Sequence, residues 1–410
     1  MTIAASRQIN RAVPVVLAAV LVDTIGFGIV IPVLPTLIEQ LSGLDLEGAT
    51  RAAGYLLAVF AFTQFFAGPV LGNLSDRFGR RPVLIGSMLA FGLDYLLMAV
   101  APTLAWLFIG RAIAGITGAV YAPASSVLAD VTPGEDRARA FGWMSAAFGI
   151  GFILGPALGG LLSGFGPRAP FVAAATLALL NAAAMSVLMP ETLSTDHRRA
   201  FDWRQANVIM SFKPLFKYRE AGPLLLAWFF WQLASMVYPA TWSFWSAAAF
   251  GWDGRAIGWS LAFVGLVMAI VQIFLTGPII ARIGERRASV IGLACGAGAF
   301  FLYAFVTAGW QAYAIFAVSA LSGLVFPAMN GLLSRLAEPS HQGALQGGIG
   351  SMGSVASIAA PLILTQALAI GIARGFLGTA FLVAATLAGI SLAVVWLLVL
   401  GRVPPKSPAV

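Results

Sequence analysis

The sequence has little charge, only two histidines and a single cysteine. Asp, Glu, Lys and Arg make up 10% of its 410 residues, whereas soluble domains carry about 25%, so an ordinary soluble fold is excluded. Cys295 is the only cysteine, and an internal disulfide is therefore impossible. His197 and His341 both lie in polar connections, so the chain lacks a histidine relay inside its apolar segments.

Long apolar runs fill most of the sequence. Hydrophobic side chains make up 60% of it. Runs of about 20 residues recur along the chain, each long enough to cross a bilayer as a helix, and they lack the alternation of β-barrel strands. The first run is too long for a signal-peptide core and is interpreted as an uncleaved span. We predict twelve spans, at approximately residues 12–38, 52–74, 83–101, 104–128, 139–163, 170–189, 222–247, 256–280, 288–308, 311–336, 343–371 and 375–401.

Lys and Arg are unevenly distributed between the connections. With the N-terminus inside, 19 of the 24 lie on the inner side and 4 on the outer side. The positive-inside rule then predicts a multi-pass protein of the cell inner membrane with both termini in the cytoplasm. The same rule accounts for the net charge of +8, so we do not expect nucleic-acid binding.

The two halves of the sequence repeat each other. GNLSDRFGRRP begins at Gly72, and GPIIARIGERR begins 205 residues later; the same offset relates Pro156 to Pro361. This predicts an all-α membrane protein of twelve transmembrane helices in two six-helix pseudo-repeats. The predicted domains are an N-terminal bundle (1–189), a cytoplasmic linker (190–221) and a C-terminal bundle (222–410). Parallel repeats of this kind bind substrate between the halves and rock them.

The GNLSDRFGRRP segment, with its four charges between two apolar runs, also carries a resemblance. The chain resembles the major facilitator superfamily, and within it the twelve-span drug:proton antiporters near the tetracycline-efflux branch. The resemblance implies a cytoplasmic gate, in which Arg80 bonds to Asp76 or Asp130 and latches the cytoplasmic side shut. The alternative is that the arginines only set topology. Ala281 replaces the acid in the second half, which predicts a weaker latch there or none. The predicted gate residues are Gly72, Asp76, Arg77, Gly79, Arg80, Arg81 and Asp130.

Three charged residues lie deep inside predicted spans: Asp23, Asp94 and Arg111. Charges at that depth are costly and are functional candidates. If Arg111 pairs with one acid, the other can take up and release a proton. We favour Asp23 for this role, because span 1 lines the central cavity in the superfamily, and expect Asp94 to support it. The alternative is a fixed salt bridge that orients spans 1, 3 and 4.

Span 5 contains the sequence GFILGPALGG. Small residues four apart allow close helix packing, and Pro156 is expected to kink the helix. The pattern resembles the superfamily's antiporter motif, and the resemblance implies exchange rather than symport. The motif residues are Gly151, Gly155, Pro156, Gly159 and Gly160.

Neutral amides and aromatic residues are the candidates for the substrate cavity. Amides can orient a ligand without fixing its charge. Trp231 can either stack on an aromatic substrate or serve packing, whereas Trp242 and Trp245 are predicted to form an interfacial belt. Tetracycline exporters carry a histidine and an aspartate where this chain has Met268 and Gly296, so we expect a different, amphipathic and weakly charged or neutral substrate. The predicted cavity residues are Gln64, Trp231, Gln232, Met268, Gln272, Asn330 and Gln346.

These observations predict a proton-coupled antiporter that exports small amphipathic compounds by alternating access. The alternative is a carrier for uptake or facilitated diffusion of a small metabolite. The sequence contains no HExxH, GxSxG or Walker A pattern, so we expect neither an enzyme nor ATP drive. We expect no cofactor and no metal. The expected partners are a small-molecule substrate, protons and the lipid bilayer, and the expected state is a monomer.

Overall fold

A computed structural model describes residues 3–118, 120–133, 136–203, 221–335 and 342–399 of the chain. Within these ranges the regular structure is helical. The α-helices are α1 (Ile3–Val30), α2 (Leu34–Ser42), α3 (Leu46–Phe78), α4 (Arg80–Val100), α5 (Leu104–Thr117), α6 (Tyr121–Val131), α7 (Arg137–Leu162), α8 (Ala169–Leu188), α9 (Gly222–Ser235), α10 (Val237–Phe250), α11 (Gly254–Ile270), α12 (Gly277–Tyr303), α13 (Gly309–Ser319), α14 (Val325–Ser334), α15 (Gln342–Arg374) and α16 (Thr379–Val394). Short 3-10 or π segments join or extend several of them.

The helices have the length and composition of membrane spans. In the part of the chain that the structure describes, eleven helical segments are long and apolar enough to cross a bilayer. One of them, Gly254–Tyr303, has 50 residues, more than twice what a single crossing needs. It turns at Gly284, where φ is +78° and ψ is 160°. This turn divides it into two spans, in agreement with the twelve predicted.

The helices group into two compact units. The first unit spans Met1–Met210 with Ser243–Gly265, and the second spans Ser211–Trp242 with Leu266–Val410, each over its described residues. Ser243 helps to hold the end of α10 in the first unit, because its Oγ donates to the Ile31 carbonyl oxygen at 3.0 Å. The boundaries of these units reflect the packing of the helices and do not coincide with the boundaries of the sequence repeat. The predicted domain boundaries, and the linker that lies largely outside the described residues, therefore stay predictions.

The core of the first unit is formed by residues of α1, α4, α6, α7 and α8. On α1 the fully buried residues Ala12, Val16 and Ala19 recur at helical spacing, which gives one continuous apolar stripe. The stripe packs against residues such as Met88 and Met185, which are also fully buried. This packing fixes the side of α1 on which Asp23 lies, one turn after Ala19.

Aromatic rings fill the core of the second unit. Trp242 is fully buried and lies 4.7 Å from the Phe316 ring and 5.6 Å from the Tyr303 ring, measured between centroids. Trp245, which belongs to the first unit, is 1% exposed. The prediction of an interfacial belt is wrong for both tryptophans. A belt residue keeps one edge in contact with water or head groups, whereas other aromatic side chains enclose Trp242, and Trp245 packs edge-on against Phe250 at 5.1 Å.

Candidate functional site

An ion pair lies inside the first unit between α4 and α5. Arg111 Nη2 donates to Asp94 Oδ2 at 3.2 Å, and the two side chains are 12% and 0% exposed. The guanidinium also lies 5.5 Å from the centroid of the Phe60 ring and contacts the Met98 sulfur at 3.3 Å. Gly110 makes this approach possible, because a Cβ there would lie 2.7 Å from Asp94 Oδ1. Of the two deep acids, Arg111 therefore binds Asp94.

Asp23, on α1, is the acid that Arg111 does not bind. Its Oδ1 is buried and has no hydrogen-bond partner among the described residues. The neighbouring Thr24 gives no help, since its hydroxyl donates to the Val20 carbonyl oxygen at 2.8 Å. The arrangement thus contains one acid that Arg111 binds and one acid that has no ion-pair partner among the described residues.

Tyr95 follows Asp94 on α4 and was not identified from the sequence. Its side chain is 1% exposed, and its ring packs edge-on against Phe91 with 5.5 Å between centroids. Its hydroxyl lies against α1 at Gly26, where a Cβ would be 2.9 Å from the hydroxyl oxygen. The signal available in the sequence was its position next to Asp94.

A second charged cluster forms where α3 ends and α4 begins. Arg80, 9% exposed, donates through Nη1 to Asp76 Oδ1 and through Nε to Asp130 Oδ2 at 3.2 Å. Nη1 also contacts Ser75 Oγ at 3.2 Å. The three helices that meet here, α3, α4 and α6, are thus held by one guanidinium. The structure brings together the three residues that the sequence analysis named for this cluster, which we call the Arg80 cluster.

The turn between α3 and α4 depends on Gly79 and Glu191. Gly79 has φ +108°, a conformation that strongly favours glycine. The Glu191 carboxylate accepts hydrogen bonds from the backbone N–H groups of Arg80, at 2.9 Å, and Arg81, at 3.3 Å. It therefore caps the N-terminus of α4, and a Cβ at Gly79 would overlap it. Glu191 was not predicted as a site residue. The sequence feature that could have indicated it is its position directly after Pro190, just past the end of α8.

The remaining predicted gate residues have different surroundings. The Arg81 guanidinium donates to the Ser186 carbonyl oxygen of α8, which links α4 to α8. Arg77 is exposed, and its guanidinium lies 5.1 Å from the ring centroid of the adjacent Phe78. At Gly72 no described atom lies within 4 Å of where a Cβ would be. No described residue therefore packs closely against Gly72, and its place in the gate stays a prediction.

The second half contains the same turn with the charges exchanged. Gly284, 205 residues after Gly79, also has a positive φ. At the positions equivalent to Arg80 and Asp130 lie Glu285 and Arg335, and Arg335 Nη2 donates to Glu285 Oε1 at 2.8 Å. Gly331 leaves room for the acid, because a Cβ there would lie 2.8 Å from Glu285 Oε1. The second half therefore lacks the acid that Ala281 replaces, but it contains the Glu285–Arg335 ion pair. This pair was not predicted from the sequence.

The predicted antiporter motif packs α7 closely against α1 and α11. A Cβ at Gly151 would lie 2.7 Å from the Thr24 Cβ, and a Cβ at Gly155 would lie 2.8 Å from the Ile25 carbonyl oxygen. A Cβ at Gly159 would be closer still and would overlap the Ile29 carbonyl oxygen. The fourth glycine of the motif, Gly160, faces α11 at Gly258, and Pro156 lies inside α7 with its ring against Gly28 of α1.

The comparison with known proteins agrees with this architecture. The family model of the Major Facilitator Superfamily matches residues 16–361 and 224–410. The chain belongs to the major facilitator superfamily. It is 42% identical to the class C tetracycline resistance protein of Escherichia coli, over 92% of this chain and 94% of that protein. It is 28% identical to multidrug resistance protein 2 of Bacillus subtilis (strain 168), over 93% and 94%.

Solved structures of superfamily members share the fold. The human organic anion transporter MFSD10 (TETRAN) superposes with a TM-score of 0.69 at 23% identity, covering 94% of this chain and 99% of that chain. A D-xylose–proton symporter superposes with a TM-score of 0.76 at 16% identity, covering 95% and 98%. These likenesses establish the transporter fold, while the substrate has to be argued from the chain's own side chains.

The amides predicted for the cavity of this superfamily member are only partly brought together. Gln346 Nε2 donates to Asn330 Oδ1 at 2.6 Å, so α15 and α14 present one joined amide pair. In the first unit, Gln64 Nε2 donates to the Gly118 carbonyl oxygen at 3.3 Å. Gln232 is half-buried and Gln272 is exposed, and among the described residues neither side chain forms a hydrogen bond with another of these amides.

Trp231 occupies space that a polar residue would need in the second unit. Its ring stacks on Phe300, with 6.1 Å between centroids. A Cβ at Gly296 would lie 2.6 Å from the Trp231 ring. A side chain as large as aspartate therefore does not fit at Gly296 while Trp231 keeps this position. Met268 is half-buried. Among the described residues, no three His, Cys, Asp or Glu side chains are arranged to hold a metal ion.

Proposed function

We propose that this chain is a proton-coupled antiporter that exports small amphipathic compounds, as a drug or multidrug efflux protein. Two kinds of relative support the proposal: resistance proteins for tetracycline, at up to 42% identity over 92% of the chain, and a multidrug resistance protein that matches over 93% of it. The protein acts by alternating access and as a monomer. It lies in the cell inner membrane with both termini in the cytoplasm, as the distribution of Lys and Arg predicts.

The observation that carries proton coupling is the unequal surroundings of the two deep acids. Asp94 is held by Arg111 through Oδ2, whereas Asp23 has no ion-pair partner among the described residues and its buried Oδ1 lacks a hydrogen-bond donor. Asp23 is therefore the site at which a proton binds and is released. A movement of α1 relative to Arg111 changes the electrostatic environment of Asp23 and so its affinity for the proton.

The driving force is sufficient for uphill export. One proton that enters the cell contributes about 2.3 kcal/mol per 100 mV of membrane potential and about 1.4 kcal/mol per pH unit. Since about 1.4 kcal/mol corresponds to a tenfold concentration ratio, one proton per cycle sustains a substrate gradient of one to several tenfold steps.

The Arg80 cluster is proposed as the cytoplasmic latch. It ties the α3–α4 turn to α6 through the ion pair of Arg80 with Asp130. Glu191 adds a tie to the segment that follows α8. In one state of the cycle these contacts hold the cytoplasmic side closed, and in the other they open. The Glu285–Arg335 pair performs the corresponding task in the second half.

The substrate is proposed to be weakly charged or neutral and not confined to metal–tetracycline. Trp231 fills the space beside Gly296, so this part of the second unit is apolar and has no room for a carboxylate side chain. The Gln346–Asn330 pair supplies neutral donors and acceptors that can orient a ligand. An apolar site with a few amides suits amphipathic molecules.

The experiment that tests the proposal measures proton movement in proteoliposomes. Purified protein is reconstituted with a pH dye inside, and a panel of amphipathic drugs that includes tetracycline is added. We expect a drug-induced pH change that is lost in Asp23→Asn. Asp196→Asn, the same change at an exposed position, serves as the control and should behave as the unchanged protein.

Two results would contradict the proposal. Full uphill export by Asp23→Asn would show that Asp23 does not carry the proton. Downhill flux of a metabolite with no drug response would favour the alternative, a carrier for uptake or facilitated diffusion, and would leave Asp23 as a structural charge.

A further inference from the structure

A pocket of about 540 Å³ opens in the first unit beside the beginning of α4. Its lining combines charged and apolar side chains. The charged ones are Arg81, Arg198 and Glu191, and the apolar ones include Phe78 and Ile85. A pocket with this lining suits a ligand that has both a charged group and an apolar part.

The two arginines of the pocket keep donors that no described residue uses. The Arg81 guanidinium donates to the Ser186 carbonyl oxygen through Nη2, whereas its Nε has no acceptor among the described residues. Arg198 is exposed, and within the described part of the chain its guanidinium forms neither a hydrogen bond nor an ion pair. A guanidinium matches the geometry of a phosphate group. The pocket therefore offers donors for a phosphate.

The carboxylate of the pocket is already saturated with hydrogen bonds. Glu191 accepts from four backbone N–H groups, those of Arg80 (2.9 Å), Arg81 (3.3 Å), Thr192 (3.0 Å) and Leu193 (3.0 Å). A carboxylate has about four lone-pair positions, so little acceptor capacity is left for an ammonium group. The pocket should thus favour a ligand with a net negative charge over a zwitterionic one.

The length of α4 places the pocket at the level of lipid head groups. The helix has 21 residues and is about 30 Å long, the thickness of the hydrocarbon core. Arg81 is its second residue and therefore lies where the hydrocarbon ends. From the pocket, the exposed face of α4 continues turn by turn through Gly86 to Leu89 and Leu93, which are 47% and 54% exposed. Acyl chains can lie along this apolar face.

We propose that this pocket binds an anionic phospholipid, such as phosphatidylglycerol. Arg81 and Arg198 hold the phosphate, and the acyl chains follow the exposed face of α4. Because Arg81 also bonds to α8 and Arg198 belongs to the segment after α8, the bound lipid contacts α4 and the chain on both sides of the end of α8. The inference goes beyond the proposed function and does not depend on drug export.

The test measures the affinity of single lipid molecules by native mass spectrometry. Full-length protein in detergent is titrated with dioleoyl phosphatidylglycerol and, separately, with dioleoyl phosphatidylcholine. Phosphatidylglycerol should bind more tightly. Arg198→Gln should weaken its first binding step about fivefold, the effect of one basic side chain near lipid head groups. Arg198 has no described side-chain partner, so this variant should fold normally. Arg81→Gln should cause a similar loss.

Arg282→Gln is the matched control, because it removes the same charge from an exposed arginine in the second half of the chain. It should leave the affinity unchanged. If it weakens binding as much as Arg198→Gln does, the lipid responds to the net charge of the protein and the pocket is not the site. Equal affinity for the two lipids would overturn the choice of an anionic lipid.

Two further measurements distinguish the source of the phosphate and locate the bound lipid. Excess inorganic phosphate should not displace phosphatidylglycerol, since it cannot use the apolar face of α4; full displacement would show a site for free phosphate and overturn the proposal. Phosphatidylglycerol with a photoreactive group in its acyl chain should cross-link to the segment from Gly86 to Leu93, and the cross-link should weaken in Arg198→Gln. Cross-links that avoid α4 would overturn the proposal.

Discussion

Replacing Asp94 with asparagine removes the charge of one partner in an ion pair that water hardly reaches. The Asp94 side chain is 0% exposed and that of Arg111 is 12% exposed. Removal of one partner leaves a buried charge without its counterion, which costs about 3–5 kcal/mol. The amide can still accept one hydrogen bond from Arg111, so we expect a loss near the lower end of this range.

This loss can be read as a change in thermal stability. A bundle of 150–250 residues loses about 2–4 °C in unfolding midpoint per kcal/mol, so Asp94→Asn should lower the midpoint by about 6 °C or more. The assay is thermal unfolding of the purified protein in detergent, followed by intrinsic tryptophan fluorescence. Arg111→Gln should cause a similar loss, because it leaves Asp94 buried with a charge and no counterion. The double variant should lose less than the sum of the two.

An exposed ion pair supplies the control. Arg51 and Glu47 form an i,i+4 pair on α3 whose side chains are 40% and 29% exposed, and such pairs contribute about 0–1 kcal/mol. Glu47→Gln should therefore change the midpoint little. A fall of less than about 2 °C in Asp94→Asn, or additive losses in the double variant, would refute a charged and mutually dependent Asp94–Arg111 pair.

Three further predictions concern the turns and the helix packing. Gly79→Ala should destabilise the α3–α4 turn by about 1–2 kcal/mol, because φ is positive there, and should reduce export. Gly86→Ala, where a Cβ would have no described atom within 4 Å, should be neutral, and equal drug-resistance levels for the two variants would contradict this. Glu285→Arg should reduce export, and adding Arg335→Glu should restore it, because the double variant can form the ion pair with its charges reversed. Export is measured as drug accumulation in cells. No restoration in the double variant would show that export does not depend on this ion pair. Gly159→Ala should reduce the yield of folded protein in size-exclusion chromatography, because its Cβ would overlap the α1 backbone; wild-type yield would contradict this.

The deep charges and the charged loop could be found from the sequence because they break a pattern. In a chain with 10% charge, an acid inside an apolar run is unusual enough to mark a site, and Asp23 and Arg111 were identified in this way. The Arg80 cluster followed from its local motif, where Asp76 and Arg80 are four apart and share one helix-turn-helix junction.

Residues whose role depends on distant partners were missed or misjudged. Glu191 caps α4 from a position 111 residues away in sequence, and nothing near it indicates the target. Tyr95 is an ordinary aromatic residue in an apolar run until α1 brings Gly26 against its hydroxyl. Trp242 was assigned to an interface from its place near the end of a span, whereas the surrounding rings bury it completely.

The sequence by itself determined the number of spans, their expected orientation, the repeat and the identity of the deep charges. It could do so because hydrophobic length and the cost of buried charge act locally along the chain. Only the tertiary structure decided that Arg111 binds Asp94 and leaves Asp23 without a donor, and that the second half carries the Glu285–Arg335 pair. Those choices depend on distances of a few ångströms between side chains on different helices, which helix packing sets and hydrophobic pattern does not.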